Sequence, residues 1–194
     1  MNCAFVLGNG KSRKGLNLHR LKLKGKIYGC NALYREFAPD YLIAVDPKMV
    51  IEISKSGYQL SNEVWTNKRR STDNIQNMNY FEKSLGWSSG PTALTLASNH
   101  GYNKIYILGF DYNSQDGYLN NVYAGTENYR KTTDTATYYG NWLKQTYNCI
   151  KRNPNTRYIR VITEEHNFVP DDLKTLGNLE HIDIVNFKKE LKIP

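Results

Sequence analysis

Two short glycine-bearing stretches carry the residues best suited to chemistry in this 194-residue chain. The first is Leu7-Gly8-Asn9-Gly10-Lys11-Ser12, directly after the apolar run Cys3–Leu7. Gly8 and Gly10 permit close backbone approach and positive φ, the Asn9 amide suits a ribose or a base edge, and Ser12 suits a helix cap or a phosphate contact. The spacing is neither that of a dinucleotide fingerprint nor that of a Walker loop, despite the triplet Gly10-Lys11-Ser12, and a plain structural turn suits the same residues equally well. The second stretch is Ser88-Ser89-Gly90-Pro91, which opens a helix over 92–99 that stops near Gly101 and feeds the strand candidate Lys104–Leu108 and then Gly109-Phe110-Asp111. Glycine turns at strand ends, with a helix starting beside them, are where open α/β sheets hold phosphates. Nucleotide binding is therefore the leading expectation, with Gly8, Asn9, Gly10, Ser12, Ser89 and Gly90 as candidates.

Three further strand ends carry polar groups. Asn31 follows Lys26–Cys30, Asp46 follows a strand expected over 41–45, and Asp111 follows Lys104–Leu108. Either carboxylate suits a ribose hydroxyl, the orientation of a substrate, or general-base work, and each suits equally the capping of a following turn. His166, in Glu164-Glu165-His166 after the last expected strand, either faces the same crevice or lies in solvent. No His, Cys, Asp or Glu set has metal-ligand spacing, so no metal is expected.

The elements that must position these groups follow from periodicity. Short β-branched or aromatic runs at 3–7, 26–30, 41–45, 63–66, 104–108 and 157–162 read as strands, and 92–99 and 134–151 as helices. The second helix carries Tyr138, Trp142, Leu143, Tyr147 and Ile150 roughly on one face. Strands separated by crossovers predict a single α/β domain over 1–194, Rossmann-like, with a mainly parallel sheet and helices on both faces. The polar segment 111–131 is too long for an ordinary connection and is expected to be a lid-like loop over the crevice. Residues 170–194 are expected to form a small helical and extended cap.

Composition bounds the partners. The net charge is +8, which favours phosphate-bearing or acidic ligands and leaves nucleic acid open as a partner of the basic surface. The excess is dispersed over runs such as Lys68-Arg69-Arg70, Arg130-Lys131 and Lys188-Lys189, and such runs often form only a solvated face. Fifteen tyrosines serve either as stacking platforms or as amphipathic core residues. No long apolar run exists, and the start of the chain lacks a basic and apolar leader, so no membrane insertion and a cytoplasmic location are expected. Cys3, Cys30 and Cys149 are read as reduced packing residues.

The order Gly-Asn-Gly-X-Ser, Cys-Asn-X-X-Tyr, then Ser-Gly before a helix and Gly-Tyr-X-X-Ile-Tyr-X-X-Gly-X-Asp resembles the small bacterial lipooligosaccharide sialyltransferases. The stretch 39–46 resembles the related motility accessory factors and pterin diphosphokinase-like proteins, and the chain also looks like uncharacterised marine bacteriophage proteins, which imply no function. The sialyltransferase resemblance spans roughly 4–147. It implies metal-independent transfer from a nucleotide-activated sugar, with no cofactor. It also implies that Asn9, Asn31, Ser89 and Gly90 hold the nucleotide and that Tyr123 bonds the departing phosphate, where charge grows as the glycosidic bond breaks. A second phosphate-binding tyrosine of the family falls at Asn113, with Tyr112 one place earlier. The family's histidine base is replaced by Tyr129, a group with pKa near 10 unless cations such as Arg130 and Lys131 lower it; Asp111 and His166 are the other candidates. Three readings follow: a glycosyltransferase-like enzyme; a silent module that senses or sequesters a nucleotide or binds a macromolecule; and a pterin diphosphokinase-like transferase, which would use Asp46 and Asp111 for magnesium.

Overall fold

The computed structural model describes residues 2–194. Eight parallel strands form one sheet: β1 (Cys3–Leu7), β2 (Lys26–Cys30), β3 (Tyr41–Ile43), β4 (Val64–Asn67), β5 (Asn79–Phe81), β6 (Lys104–Leu108), β7 (Arg157–Ile162) and β8 (Leu179–Asp183). Their order is β5-β4-β3-β2-β1-β6-β7-β8. The chain therefore winds outward from β1 to one edge, returns beside β1 as β6, and winds to the other edge. The single reversal lies between β1 and β6, which run in register from Cys3 against Lys104 to Leu7 against Leu108.

Six helices cover the sheet: α1 (Leu18–Lys22), α2 (Pro47–Ser56), α3 (Ser89–Asn99), α4 (Gly140–Arg152), α5 (Asp171–Lys174) and α6 (Ile184–Leu191). Alternation along β1 divides the core in two. Phe5 and Leu7 face a cluster containing Leu21 of α1, Ile53 of α2 and Phe187 of α6. Ala4 and Val6 face the opposite cluster, with Leu94 and Ala97 of α3, Ile150 of α4 and Leu173 of α5. The architecture is the expected doubly wound, Rossmann-like α/β sheet, whose innermost strand β1 is apolar and buried throughout because both faces are covered.

Local chemistry explains the boundaries. Asp46 accepts from the Lys48 N–H, Pro47 occupies the first helical position, and Gly57 at φ 71° ends α2, which is the ordinary start and stop of a helix. α3 begins at Ser89, three residues before the expected start, because Pro91 fits a first turn whose N–H groups have no intrahelical acceptor. α4 begins at Gly140 and not at 134. Tertiary pairing takes the intervening backbone: Tyr118 bridges Thr135, and the Leu119 and Ala136 N–H groups bond Asp134 O and Gly117 O. Residues 170–194, expected as a cap, instead extend the sheet, since β8 pairs along β7 and α6 packs on the β1 side. All three cysteines are free and buried; burial alone pushes the Cys30 thiol up to about 12. Among the described residues no helix is long and apolar enough to cross a membrane.

Candidate functional site

At the carboxyl ends of β1 and β6, where the winding reverses, the two following loops separate and leave a crevice of about 140 Å³. Such reversal points are where open sheets bind ligands. Its walls include Gly8, Asn9 and Gly10 after β1, Asn31 after β2, Ser88–Pro91 at the start of α3, and Gly109–Tyr112 after β6. Gly8, Asn9, Gly10, Asn31, Ser89, Gly90, Asp111 and Tyr112 are thus brought together from four parts of the chain.

The glycines act through close packing. The Gly8 and Gly10 N–H groups donate to Leu108 O and Gly109 O at 2.8 and 2.9 Å, knitting the two loops together. A Cβ on Gly10 would lie 2.5 Å from Asp111 Oδ2 and 2.7 Å from Gly109 O. Neither Gly8 nor Gly10 adopts positive φ, contrary to half of the expectation; Gly109 does, at 70°. Their lack of a side chain lets β1 and β6 loops touch, and the space saved is filled by protein.

Asn31 and Ser89 are coupled to each other. Ser89 Oγ donates to Asn31 Oδ1 at 2.8 Å and accepts from the Val45 N–H at 3.1 Å. Asn31 adopts φ 51°, a conformation that asparagine tolerates better than most residues. This pair locks the first turn of α3 against the ends of β2 and β3. Ser88 places no side-chain cap on α3, and no acidic residue occupies its first turn. The Ser88 N–H donates to Gln145 Oε1 at 3.0 Å, while the Ser89 and Gly90 N–H groups have no protein acceptor among the described residues. Two bare amides at the positive end of an eleven-residue helix therefore border the crevice.

Asp111 is buried on the opposite wall. Its Oδ2 accepts from the Ser12 N–H at 3.0 Å and from Asn120 Nδ2 at 3.1 Å, and His166 Nδ1 stands 3.9 Å away. Its Oδ1 has no protein partner among the described residues. The floor beneath it is held by Arg160 of β7, which is buried without a carboxylate partner. Arg160 Nε donates to Phe110 O at 2.8 Å, Nη1 to Phe168 O at 2.9 Å, and Nη2 to Asp111 O at 3.3 Å, with its guanidinium 5.2 Å from the centre of the Tyr112 ring. Nothing in a strand-internal arginine's sequence context marks this role.

Several expected site residues lie elsewhere. Asp46 is exposed and caps α2. Ser12 is buried in a 3₁₀ turn, with its N–H given to Asp111 and its hydroxyl unpartnered. Tyr123 is outside the crevice: its hydroxyl accepts from Arg13 Nη2 at 2.7 Å and donates to Glu36 Oε1 at 2.5 Å. Tyr129 touches the site only through Asn9, whose Nδ2 donates to its hydroxyl at 3.3 Å; the Ala32 N–H donates to the same oxygen at 3.4 Å. Burial raises Tyr129 to about 12, and the cation beside its ring is Arg35 at 5.8 Å, not Arg130, whose Nε donates to Asp134, or Lys131, whose backbone N–H donates to the same carboxylate. His166 is mostly buried beside Asp111, with Nδ1 unpartnered, and does not line the crevice. Tyr112 lines it with a buried, unpartnered hydroxyl, which burial pushes above the usual tyrosine range.

The remaining walls come from Leu119, Asn120, Asn121, Tyr139 and Trp142. The loop belongs to the site: the Val122 N–H donates to Asn9 O at 2.8 Å, and Asn120 Oδ1 accepts from the Lys11 N–H at 2.8 Å. Tyr139 and Trp142 stand edge to face with ring centres 5.6 Å apart, and the Tyr139 hydroxyl and Asn9 Oδ1 are buried without partners. The Asn120-Asn121 pair inside a polar loop was the available signal for this wall. The crevice contains one carboxylate and no lysine, arginine or histidine; among the described residues no cluster of three or more His, Cys, Asp or Glu side chains could hold a metal. Comparison of the chain with protein-family models, with curated proteins and with solved structures found no match.

Proposed function

We propose that this crevice binds a nucleotide carrying a single phosphate, free or joined to a sugar. The observation that carries the reading is the uncapped start of α3, whose bare Ser89 and Gly90 amides border a crevice at the sheet's reversal point. Trp142 and Tyr139 offer an aromatic wall to a base, and Asn9, Asn31, Asn120 and Asn121 offer amide groups to base and ribose edges. With no cationic side chain in the walls, one phosphate on a helix terminus suits the site better than a triphosphate. A crevice of about 140 Å³ is below the roughly 300–1,000 Å³ of pockets that enclose ligands of this size, so binding is expected to displace Leu119–Asn121 outward.

Glycosyl transfer is the activity that the sialyltransferase resemblance adds to this reading. Asp111 Oδ1, on a carboxylate that lines the crevice and free of protein partners among the described residues, favours it as the acceptor of a hydroxyl proton. A silent binding module is favoured by a different observation: neither Tyr123 nor Tyr129, the two family-aligned tyrosines, presents its hydroxyl to the crevice. Magnesium-dependent diphosphate transfer is the least favoured, because Asp46 is spent on capping α2. Calorimetric titration with CMP, UMP, GMP and AMP and their sugar conjugates, with and without magnesium, tests the reading. Metal-independent binding of at least one is expected; silence across the panel refutes it. Release of sugar or its transfer to an acceptor then separates the enzyme from the module.

A further inference from the structure

Behind the loop wall lies a second and larger cavity of about 670 Å³. It is bordered by the segment after β1, the start of α1, the turn after β2, and the loop residues Asn121–Ala124, so Asn121 is shared with the crevice. Its charge is one-sided. Lys11, Arg13 and Lys14 face it, against the single carboxylate of Glu36. That carboxylate is already committed, accepting from Arg13 Nη2 at 3.1 Å and from the Tyr123 hydroxyl. Lys11 and Lys14 make no ion pair among the described residues; Asp116 is near enough to Lys11 to feel its charge without pairing.

Arg13 is the fixed part of this wall. Its Nε donates to Gly8 O at 2.8 Å and its Nη2 to Tyr123 and Glu36, and its ring-facing contact with Tyr123 is 5.4 Å. A guanidinium held this way keeps its position whether or not a ligand is present. The two unpaired lysines provide flexible point charges in its lining. Lone lysines on a convex surface need no explanation, but two beside a buried arginine around one concavity produce a focused positive field.

We propose that this cavity is a binding site for a small anionic molecule bearing a phosphate or carboxylate group, held by Lys11 and Lys14 against the Arg13–Tyr123–Glu36 cluster. The volume falls in the range of about 300–1,000 Å³ typical of small-molecule pockets, which favours such a ligand over a nucleic-acid strand lying on an open surface. The inference does not depend on what the crevice binds.

The test uses the full chain, inorganic pyrophosphate and citrate as the two anion probes, and a short single-stranded oligonucleotide, each titrated at low ionic strength. The variant K11Q/K14Q removes the flexible cations, and K188Q/K189Q removes the same charge from α6, at the far end of the chain. Binding of pyrophosphate, citrate or both that is weakened at least about tenfold in K11Q/K14Q and retained in K188Q/K189Q supports the site, the preferred probe naming the anion class. Equal weakening in both variants would mean only a net-charge effect and overturns it. So does unchanged affinity in K11Q/K14Q, which would assign the anion to the amides of α3, or a lysine-dependent preference for the oligonucleotide. The single variant K14Q, altering an exposed side chain, repeats the comparison should the double variant lose its fold.

Discussion

Replacing Arg160 by methionine keeps most of the side-chain length and removes the charge that holds the crevice floor. Three carbonyls lose their donor: Phe110 O, Asp111 O and Phe168 O. The Phe168 bond lies toward the surface, so water can replace that donor, whereas the bonds to Phe110 and Asp111 are buried. An unsatisfied buried carbonyl costs roughly 1–3 kcal/mol, giving about 2–6 kcal/mol for two. Against this stands relief of the arginine's own desolvation, visible in the lowering of its pKa by burial, and worth a few kcal/mol for an unpaired buried cation. The net expectation is a loss of about 1–4 kcal/mol, read as a lower urea midpoint at constant slope. Arg160→Lys reaches fewer of the three acceptors and should lose a comparable amount despite keeping the charge. Tyr112 sits at φ 58° directly after the clamped residues, a conformation costing about 1–2 kcal/mol, so the released turn should relax and nucleotide affinity should fall with stability. A variant as stable as the wild type, within about 0.5 kcal/mol, refutes the clamp.

His181 of β8 is held down to about 4, by burial first and by Arg160 and Lys174 after it. A lowered histidine pKa means that the unfolded chain takes the proton first, so stability is complete above about 6.5 and falls as pH drops toward 4. Urea midpoints between pH 7.5 and 4.5 should therefore decline less steeply in His181→Gln than in the wild type; parallel curves count against this. Gly10→Ala forces a Cβ against Asp111 Oδ2 and Gly109 O and should cost about 1–3 kcal/mol, measured by thermal unfolding; an unchanged midpoint would show that the loops can part freely. Asn31→Ala removes the acceptor of the Ser89 hydroxyl and should weaken nucleotide binding about 5- to 10-fold, in line with a lost hydrogen bond of about 1 kcal/mol; unaltered calorimetric affinity removes this pair from the site. Tyr123→Phe leaves Arg13 and Glu36 without their shared hydroxyl, so a stability loss of about 1–2 kcal/mol with nucleotide affinity intact is expected. A selective loss of transfer rate would restore Tyr123 to the leaving-group role.

The central strands were legible because each is a short apolar run bounded by glycine or charge. β1, β2, β6 and β7 have the limits that their composition predicts, since strands buried on both faces read as near-continuous apolar runs, with Arg160 in β7 the buried exception. The outer strands were not. Tyr80 in β5 and His181 in β8 sit in half-exposed edge strands, where packing against one neighbour decides structure and a continuous apolar signal is absent. α2 was open to the same reading as α3, through Asp46-Pro47 at its start and Gly57 at its end.

For the site, residue types and their order along the chain already placed Gly8, Asn9, Gly10, Asn31, Ser89, Gly90, Asp111 and Tyr112 at the ends of strands and at a helix start, and parallel topology then forces them to one edge. Which of their polar atoms remain available is a matter of distance. Asp46 and Asp111 have equivalent positions after a strand, yet one caps a helix in solvent and the other is buried between Ser12, Asn120 and His166. Tyr123 and Tyr129 lie six residues apart on one loop, and only its path across the sheet edge turns the first toward Arg13 and the second toward Asn9. Arg160 is the clearest case: its sequence context is an ordinary strand, and its clamp on Phe110 and Asp111 exists only because β7 pairs beside β6. Local composition determined the elements, because hydrophobic periodicity is written residue by residue; the tertiary structure decided the partners, because a hydrogen bond between groups far apart in the chain, such as Arg160 and Phe110, leaves no local trace.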